Sequence, residues 1–170
     1  MTLHVTRFDT PLGGMLAAVD GAGAVRLLEF AGPRAEASLA RECAADRCER
    51  VDGGGRCGPV IDQTAAYFAG ERTEFDLPLA PRGTEFQRRV WSELRRIPFG
   101  ATLSYRELAA RLGSPEAVRA VGGANGRNPI CIIVPCHRVI GADGSLTGYG
   151  GGIERKAKLL ALESAQGVLV

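Results

Sequence analysis

Near the start of the chain, apolar and polar residues alternate in a way that predicts three short β-strands. We expect them at about 3–9, 14–19 and 24–30, separated by the turn-forming stretches "DTPLGG" and "DGAG". Such short connections join antiparallel neighbours. The sequence therefore predicts an antiparallel meander.

Two stretches with helical character follow, at 33–45 and 60–71, and Pro33 suits the first turn of the earlier one. The segment between them, 49–59, is rich in glycine and has no phosphate-loop lysine, so we interpret it as a flexible connector. Residues 75–83 are predicted to form an extended linker. The first half of the chain is thus predicted to combine a small sheet with helices.

From Thr84 onward the pattern becomes helical and the helix start signals are clear. Thr84 with Gln87, and Ser104 with Glu107, fit the capping box, in which a hydroxyl is followed three residues later by an acid or amide. The first of these helices carries an apolar stripe predicted to pack in the core: Phe86, Val90, Leu94 and Ile97, with Trp91 beside it.

A further helix is predicted after Gly113, with Ser114 as its N-cap and Pro115 as its first residue. Two short helices joined across a glycine-containing turn are typical of a helix-turn-helix, although a plain helical hairpin has the same pattern. A closing helix is expected at 153–164, with one stripe formed by Ile153, Ala157 and Leu160 and extending towards Ser164.

Composition fits one large folded domain or two small ones, since 45% of the 170 residues are hydrophobic and 24% are charged. Charge is divided unevenly between two proposed domains. Residues 1–81 have a net charge of −4, whereas residues 82–170 have a net charge of +6. A basic half is expected of a nucleic-acid-binding protein, although many basic surfaces bind nothing.

The sequence also bears on cellular location. No secretory signal pattern is visible at the N-terminus, and the longest apolar run, "ICIIV", is too short to cross a bilayer. Five irregularly spaced cysteines argue against a disulfide framework. We therefore expect a cytoplasmic protein without a membrane partner. The spacing of Cys43, Cys48 and Cys57, together with His4, matches no recognised zinc pattern, so no metal is predicted.

The segment "IIVPCHRVIG" at 132–141 places a thiol beside an imidazole, Cys136 and His137. A free thiol is only a few per cent ionised at neutral pH, so a nucleophilic role requires a base. Adjacent residues of an extended chain point to opposite faces. A bridging water is therefore the expected link between the two groups. Cys131, within an apolar run, is expected to be inert.

An imidazole base needs a partner that fixes its tautomer and stabilises its positive charge. Few acids occur in the basic half, and most of them are predicted to lie on helix surfaces. Glu163 is flanked by Leu159, Leu160 and Leu162. It is therefore the acid we expect to point inward.

The motif "PCHRV" at 135–139 resembles the active-site signature of the O6-alkylguanine-DNA alkyltransferases, or methylated-DNA–protein-cysteine methyltransferases. The similarity extends through "SYRELAARLGSPEAVRAVGGANGRNP", "PCHRVIGADGSLTGYGGG" and "LLALE", in the family's order and spacing, over roughly 84–165. Residues 1–81 more loosely resemble the family's ribonuclease-H-like N-terminal domain. The C-terminal domain of the family is mainly α-helical and winged-helix-like, with a helix-turn-helix.

The resemblance implies single-turnover DNA repair, in which the alkyl group of O6-alkylguanine passes irreversibly to Cys136. It implies that His137 is the water-linked base, Glu163 the acid that orients it, and Tyr105 the phenol that donates to guanine N3. Tyr149 and Gly150 match the loop bordering the base pocket. Carbonyl acceptors for the exocyclic amine are implied near Cys136 and Val139.

The resemblance also implies how the protein reaches a base inside double-stranded DNA. The nucleotide must be flipped out of the stack, and Arg119 matches the arginine that fills the gap. Gly122 and Gly123 match the small residues that let this helix approach the DNA backbone in the minor groove. Asn128 matches an asparagine that ties the helix to the active-site turn.

The implied protein is a monomer that needs no cofactor, with O4-alkylthymine as a further candidate substrate. Three other functions are considered. A sensor of alkylated DNA that transfers nothing would lack the acceptor cysteine, and a transcriptional regulator would use the helix-turn-helix alone. A Cys–His hydrolase would need an oxyanion hole and multiple turnover. A redox role would favour a Cys-x-x-Cys motif, and none occurs.

Overall fold

The computed structural model describes residues 1–46 and 49–169. The chain folds as a mixed sheet with helices, an α/β arrangement. It separates into two compact units, Met1–Arg82 and Gly83–Val170.

The first unit begins with the predicted meander. Its strands are β1 (Thr2–Thr10), β2 (Gly13–Asp20) and β3 (Val25–Phe30). Both pairs, β1 with β2 and β2 with β3, are antiparallel, and Leu3 faces Asp20 in the first register. The sequence-based prediction of three antiparallel strands is confirmed.

A fourth strand lies where the sequence indicated only a connector. Strand β4 (Glu49–Asp52) pairs in parallel with β1, and the strand order is β3-β2-β1-β4. The prediction of a flexible connector was wrong here because β4 has only one apolar residue, Val51, and is held through backbone pairing at the sheet edge. The predicted linker also pairs with the sheet, since Val25 N–H donates to Pro78 O over 2.8 Å.

Helices α1 (Pro33–Asp46) and α2 (Gly58–Phe68) complete the first unit, close to their predicted positions. Helix α2 buries Val60, Thr64 and Tyr67. A core cluster joins the strands to α1, and burial of its apolar surface stabilises the unit. Its buried members are Leu3, Leu16, Ala18, Leu27, Ala35 and Leu39.

The second unit contains three short helices and a two-stranded parallel sheet. They are α3 (Glu85–Leu94), β5 (Leu103–Ser104), α4 (Tyr105–Arg111), α5 (Val118–Gly126) and β6 (Val139–Ile140). Both predicted capping boxes form: Thr84 Oγ1 accepts from Gln87 N, and Ser104 Oγ from Glu107 N. The predicted core role of Trp91 is confirmed, since it is buried and its Nε1 donates to Ala124 O over 2.8 Å.

Two helix predictions in this unit need correction. Helix α5 begins at Val118 rather than Pro115, because Ser114 closes a turn by accepting a hydrogen bond from Ala117 N–H. The closing helix α6 spans Ile153–Leu169, and its predicted apolar stripe is wrong. Ile153 is 45% exposed, and the buried face consists of Lys156, Leu159 and Glu163.

Cysteine and metal predictions have mixed outcomes. Cys43 is disulfide-bonded, although reduced thiols were expected. Cys48 lies outside the described residues. Within the described ranges no group of three or more His, Cys, Asp or Glu side chains is placed to hold a metal ion. No helix in the described part of the chain is both long enough and apolar enough to span a membrane.

Candidate active site

Cys136 lies at the start of a short 3-10 turn, Cys136–Arg138, that follows a buried apolar run. The expected extended conformation is therefore wrong at this point, and alternation of strand faces does not set the direction of His137. The turn packs against α6, and Glu163 on that helix holds the imidazole instead. Cys136 is buried, with 5% of its surface exposed.

His137 and Glu163 form a fully buried pair, as the sequence predicted. The distance between His137 Nε2 and Glu163 Oε2 is 2.7 Å. Because a carboxylate can only accept, Nε2 carries the proton in the neutral imidazole and Nδ1 has the lone pair. Nδ1 is buried and hydrogen-bonds no other group in the described part of the chain. The pair thus leaves one ring nitrogen available to take a proton.

The pKa of His137 fits this role as a base. Burial lowers it below its usual value, and the positive charges of Arg138 and Lys156 act in the same direction, while Glu163 opposes them. The imidazole is therefore neutral at physiological pH. A neutral ring can accept a proton, and the carboxylate beside it stabilises the charge that results.

Arg138 is an active-site residue for which the sequence analysis assigned no role. Its Nε donates to Glu163 Oε1 over 2.8 Å and its Nη2 donates to Glu163 Oε2 over 3.0 Å, which is a bidentate ion pair. Its Nη1 donates to Ile97 O. Arg138 thereby fixes the carboxylate that holds the imidazole. The sequence offered one indication of this role: Arg138 is a charged residue within a segment that was predicted to be buried.

The buried group formed by Glu163, His137 and Arg138 leads us to expect that the protein loses stability in acid. Burial tends to raise the pKa of Glu163, but hydrogen bonds from His137 and Arg138 outweigh it and lower the value to about 2. A carboxyl with a lowered folded-state pKa contributes stability above its ordinary value of 4.5, and this contribution disappears as the pH falls towards 2. The lowered pKa of buried His137 has the same sign, starting below pH 6.5.

We therefore expect urea denaturation to show a falling free energy of unfolding from pH 6.5 down to 3, by roughly 2 kcal/mol for Glu163 in the lower part of the range. Glu163→Gln should flatten the curve below pH 4.5. If the free energy of unfolding of Glu163→Gln fell as steeply with pH as that of the unaltered protein, other acidic residues would be responsible for the loss.

Tyr105, at the start of α4, lies near Cys136. Its Oη donates to Thr147 O over 3.1 Å, in the loop before Tyr149. Burial raises the pKa of the phenol, and the negative charge of a Cys136 thiolate would raise it further. Tyr149 is buried and Gly150 is exposed in the same loop. The structure thus places a phenol where the charge of a Cys136 thiolate would act on it.

Lys156 is a second residue that the sequence analysis missed. It is fully buried on α6, and its Nζ donates to Val139 O over 2.5 Å and to Thr147 O over 2.8 Å. Burial lowers its pKa, while the negative charge of a Cys136 thiolate would act to raise it. Lys156 therefore links the segment after the active-site turn to the loop of Thr147. The sequence offered one indication of a special role: lysine is rare in this chain, and the other lysine is Lys158.

Asn128 holds the backbone that precedes Cys136. Its Nδ2 donates to Val134 O over 2.9 Å, and its Oδ1 accepts from Ile130 N–H over 2.9 Å. Its own N–H donates to Asn125 O in the last turn of α5. Asn128 therefore connects the end of α5, through its backbone N–H, to the segment before Cys136, through its buried side chain.

The remaining predicted residues lie on α5. Arg119 is exposed in the first turn of the helix. Gly122 is half-buried and Gly123 is exposed, and a Cβ built on Gly123 would meet no atom within 4 Å. Arg119, Gly122 and Gly123 follow helical spacing, so one face of α5 combines a cation with a surface free of side chains.

The arrangement is that of a protein with a buried cysteine next to a buried His–Glu pair. Residues 85–165 match the family described as 6-O-methylguanine DNA methyltransferase, DNA binding domain. A methylated-DNA–protein-cysteine methyltransferase of Mycobacterium tuberculosis is 48% identical over 164 residues, covering 96% of this chain and 94% of that protein. The chain belongs to the family of methylated-DNA–protein-cysteine methyltransferases.

Two further comparisons agree. A relative with the same name from Mycolicibacterium paratuberculosis is 66% identical over 104 residues, which cover 61% of this chain and 63% of the relative. A crystal structure of the Mycobacterium tuberculosis protein OGT in complex with DNA superposes with a TM-score of 0.80 at 43% identity. That superposition covers 98% of this chain and 94% of the other.

Proposed function

We propose that the protein repairs DNA by transferring the alkyl group of O6-alkylguanine irreversibly to the sulfur of Cys136. The observation that carries this proposal is the buried His137–Glu163 pair beside Cys136, with Nδ1 of His137 available as a base. The thioether that forms on Cys136 is a stable bond, so we propose that the alkyl group is not released again. Each molecule therefore acts once.

The transfer is a substitution at the alkyl carbon. The Cys136 thiol gives its proton to His137 Nδ1 through a water molecule, and Glu163 stabilises the resulting imidazolium. The thiolate then attacks the alkyl carbon, so that the S–C bond forms as the C–O6 bond breaks. The electron pair of the broken bond stays with the guanine, which leaves as an anion unless it is protonated.

Tyr105 is the group we assign to the leaving base. Its O–H donates to N3 of the guanine and offsets the negative charge that develops as the base leaves. The carbonyl groups of Cys136 and Val139 accept from the exocyclic amine, and a backbone N–H in the Tyr149–Gly150 loop donates to O6. Lys156 and Asn128 hold the backbone segments that carry these groups.

DNA binding is assigned to the basic C-terminal half. Helices α4 and α5 form the helix-turn-helix, and α5 enters the minor groove with its glycine-lined face against the backbone. Arg119 then occupies the space left by the flipped nucleotide. Support comes from the exposed position of Arg119 and from the absence of side chains at Gly122 and Gly123.

The domain assignments form part of the proposal. Residues 1–81 are proposed to be a ribonuclease-H-like domain, which the strand order β3-β2-β1-β4 with a parallel β4 supports. Residues 82–170 are proposed to be a winged-helix-like domain for DNA binding and alkyl transfer, supported by helices α3 to α6 and the β5–β6 pair. We propose a cytoplasmic monomer.

Two cysteine variants test the function. Cys131 is the matched control for Cys136, because both cysteines are buried and lie in the same segment. Each variant is mixed in excess with a duplex containing one O6-methylguanine, and the lesion remaining is measured by base chromatography. Cys136→Ala should remove no methyl groups, whereas Cys131→Ala should repair the duplex. Repair by Cys136→Ala would refute the assignment. Binding without repair by the unaltered protein would indicate a sensor.

A further inference from the structure

The phenol of Tyr105 has one hydrogen, which is already engaged in the structure. Tyr105 Oη lies 3.1 Å from Thr147 O, and a carbonyl can only accept, so the phenol is the donor. Donation to N3 of the departing guanine, as proposed above, needs the same hydrogen. Tyr105 must therefore exchange Thr147 O for N3 during alkyl transfer, which takes a donor away from that carbonyl.

Lys156 is a second donor to the same carbonyl. Its Nζ lies 2.8 Å from Thr147 O, and a carbonyl oxygen has two lone pairs, so Lys156 and Tyr105 can both donate to it. The two side chains are also neighbours, because Nζ lies 5.9 Å from the centroid of the Tyr105 ring. Thr147 O therefore keeps a hydrogen-bond donor after Tyr105 has left it.

The position of the Lys156 ammonium does not depend on Thr147 alone. The side chain is fully buried on α6, and Nζ also donates to Val139 O over 2.5 Å. Val139 pairs with Leu103 in the short parallel sheet, and Tyr105 begins α4 directly after that strand. The ammonium is thus held against the same sheet that positions Tyr105.

We propose that Lys156 is a positioning residue for alkyl transfer: it keeps Thr147 O hydrogen-bonded while the Tyr105 hydroxyl moves from that carbonyl to N3 of the guanine. This inference rests on the proposed function and deepens it. Without the lysine, Tyr105 would leave Thr147 O with no donor from the described part of the chain, which is unfavourable where the bound base excludes water.

Lys156 should affect the rate of transfer more than lesion binding. The bond from Tyr105 to N3 strengthens as negative charge develops on the guanine, which happens only as the C–O6 bond breaks. A phenol retained on Thr147 O would therefore cost the reaction most in its transition state.

A double-mutant cycle with Tyr105 distinguishes this role from a merely structural one. Lys156→Met keeps a long side chain but removes its N–H donors, and Tyr105→Phe removes the hydroxyl. Lys158→Met is the matched control, because Lys158 is exposed on the same helix. The transfer rate constant is measured under single-turnover conditions, at saturating protein, on a duplex with one O6-methylguanine. Lesion binding is measured with Cys136→Ser in each background, and thermal melting reports folding.

Lys156→Met should slow transfer about tenfold and change lesion affinity by less than about twofold, whereas Lys158→Met should match the unaltered protein. In a Tyr105→Phe background, Lys156→Met should have little further effect, since no hydroxyl remains to be exchanged. An equal tenfold loss with and without the hydroxyl would overturn the proposal, because the lysine would then act on the fold alone. A normal rate in Lys156→Met would overturn it as well.

The exchange of the hydroxyl can also be observed without altering Lys156. Tyr105 is one of three tyrosines, and Tyr105→Phe assigns its resonance in the nuclear magnetic resonance spectrum of tyrosine-labelled protein. With Cys136→Ser preventing transfer, a duplex with O6-methylguanine should shift this resonance more than a duplex with its 3-deaza analogue, which has no N3 acceptor. Equal shifts would overturn the proposal even if Lys156→Met fails to fold. Absence of transfer by the unaltered protein would refute the proposed function itself.

Discussion

Glu163→Gln is expected to slow alkyl transfer by about a hundredfold or more and to lower the free energy of unfolding by about 3 kcal/mol. Glutamine keeps the shape of the side chain but removes its charge. The imidazolium of His137 then loses its stabilising partner, and Arg138 becomes a buried cation without a counterion. Single-turnover kinetics and urea denaturation measure the two effects separately.

A second variant separates the catalytic effect from the structural one. Adding Arg138→Met to Glu163→Gln removes the stranded cation, so stability should recover in part while transfer stays slow. Glu93→Gln is the matched control, because Glu93 pairs with exposed Arg96 at 3.7 Å in the same unit. Normal transfer by Glu163→Gln would remove Glu163 from the proton relay. If the double variant transferred alkyl groups at the normal rate, the lower stability of Glu163→Gln alone would explain its slow transfer.

Arg119→Ala is expected to slow repair of a lesion in duplex DNA by about ten- to a hundredfold, while leaving reaction with free O6-methylguanine unchanged. The side chain is exposed on α5, away from Cys136, so its loss should affect the flipped state of the DNA rather than the chemistry. An unfilled gap in the stack makes the extrahelical nucleotide less favourable. Rates on the two substrates, measured under identical conditions, give the comparison.

Arg41→Ala provides the control for Arg119, since it removes the same charge from an exposed position in the first unit. It should leave repair of the duplex unchanged. A similar loss on duplex and free base would contradict a flipping role for Arg119. A similar loss in both arginine variants would indicate a general effect of charge.

Local sequence patterns predicted much of the fold because its signals are short-range. The meander follows from alternating residues between turns, and the capping boxes at Thr84 and Ser104 fixed two helix starts. Strand β4 could not be predicted because its sequence carries almost no apolar alternation and its pairing with β1 is a long-range backbone contact. The start of α5 was misplaced because a serine followed by proline is equally compatible with a turn.

The site was predicted where motif and chemistry agreed, and missed where buried polar residues resembled surface ones. Cys136, His137 and Glu163 were identified before the fold was known, and the structure brings the last two within 2.7 Å. Lys156 was missed because lysine on an amphipathic helix is ordinarily exposed. It is buried here because the carbonyls of Val139 and Thr147 receive its hydrogen bonds, which only the folded chain reveals.

The central claim, irreversible transfer to Cys136, is tested most directly by mass spectrometry. The protein is mixed with a duplex carrying one O6-methylguanine, and intact and peptide masses are recorded. The account predicts a gain of one methyl group per molecule, located on the peptide that contains Cys136, together with an equal amount of restored guanine. A methyl group on Cys57 or Cys131, or loss of the lesion without any gain in protein mass, would contradict it.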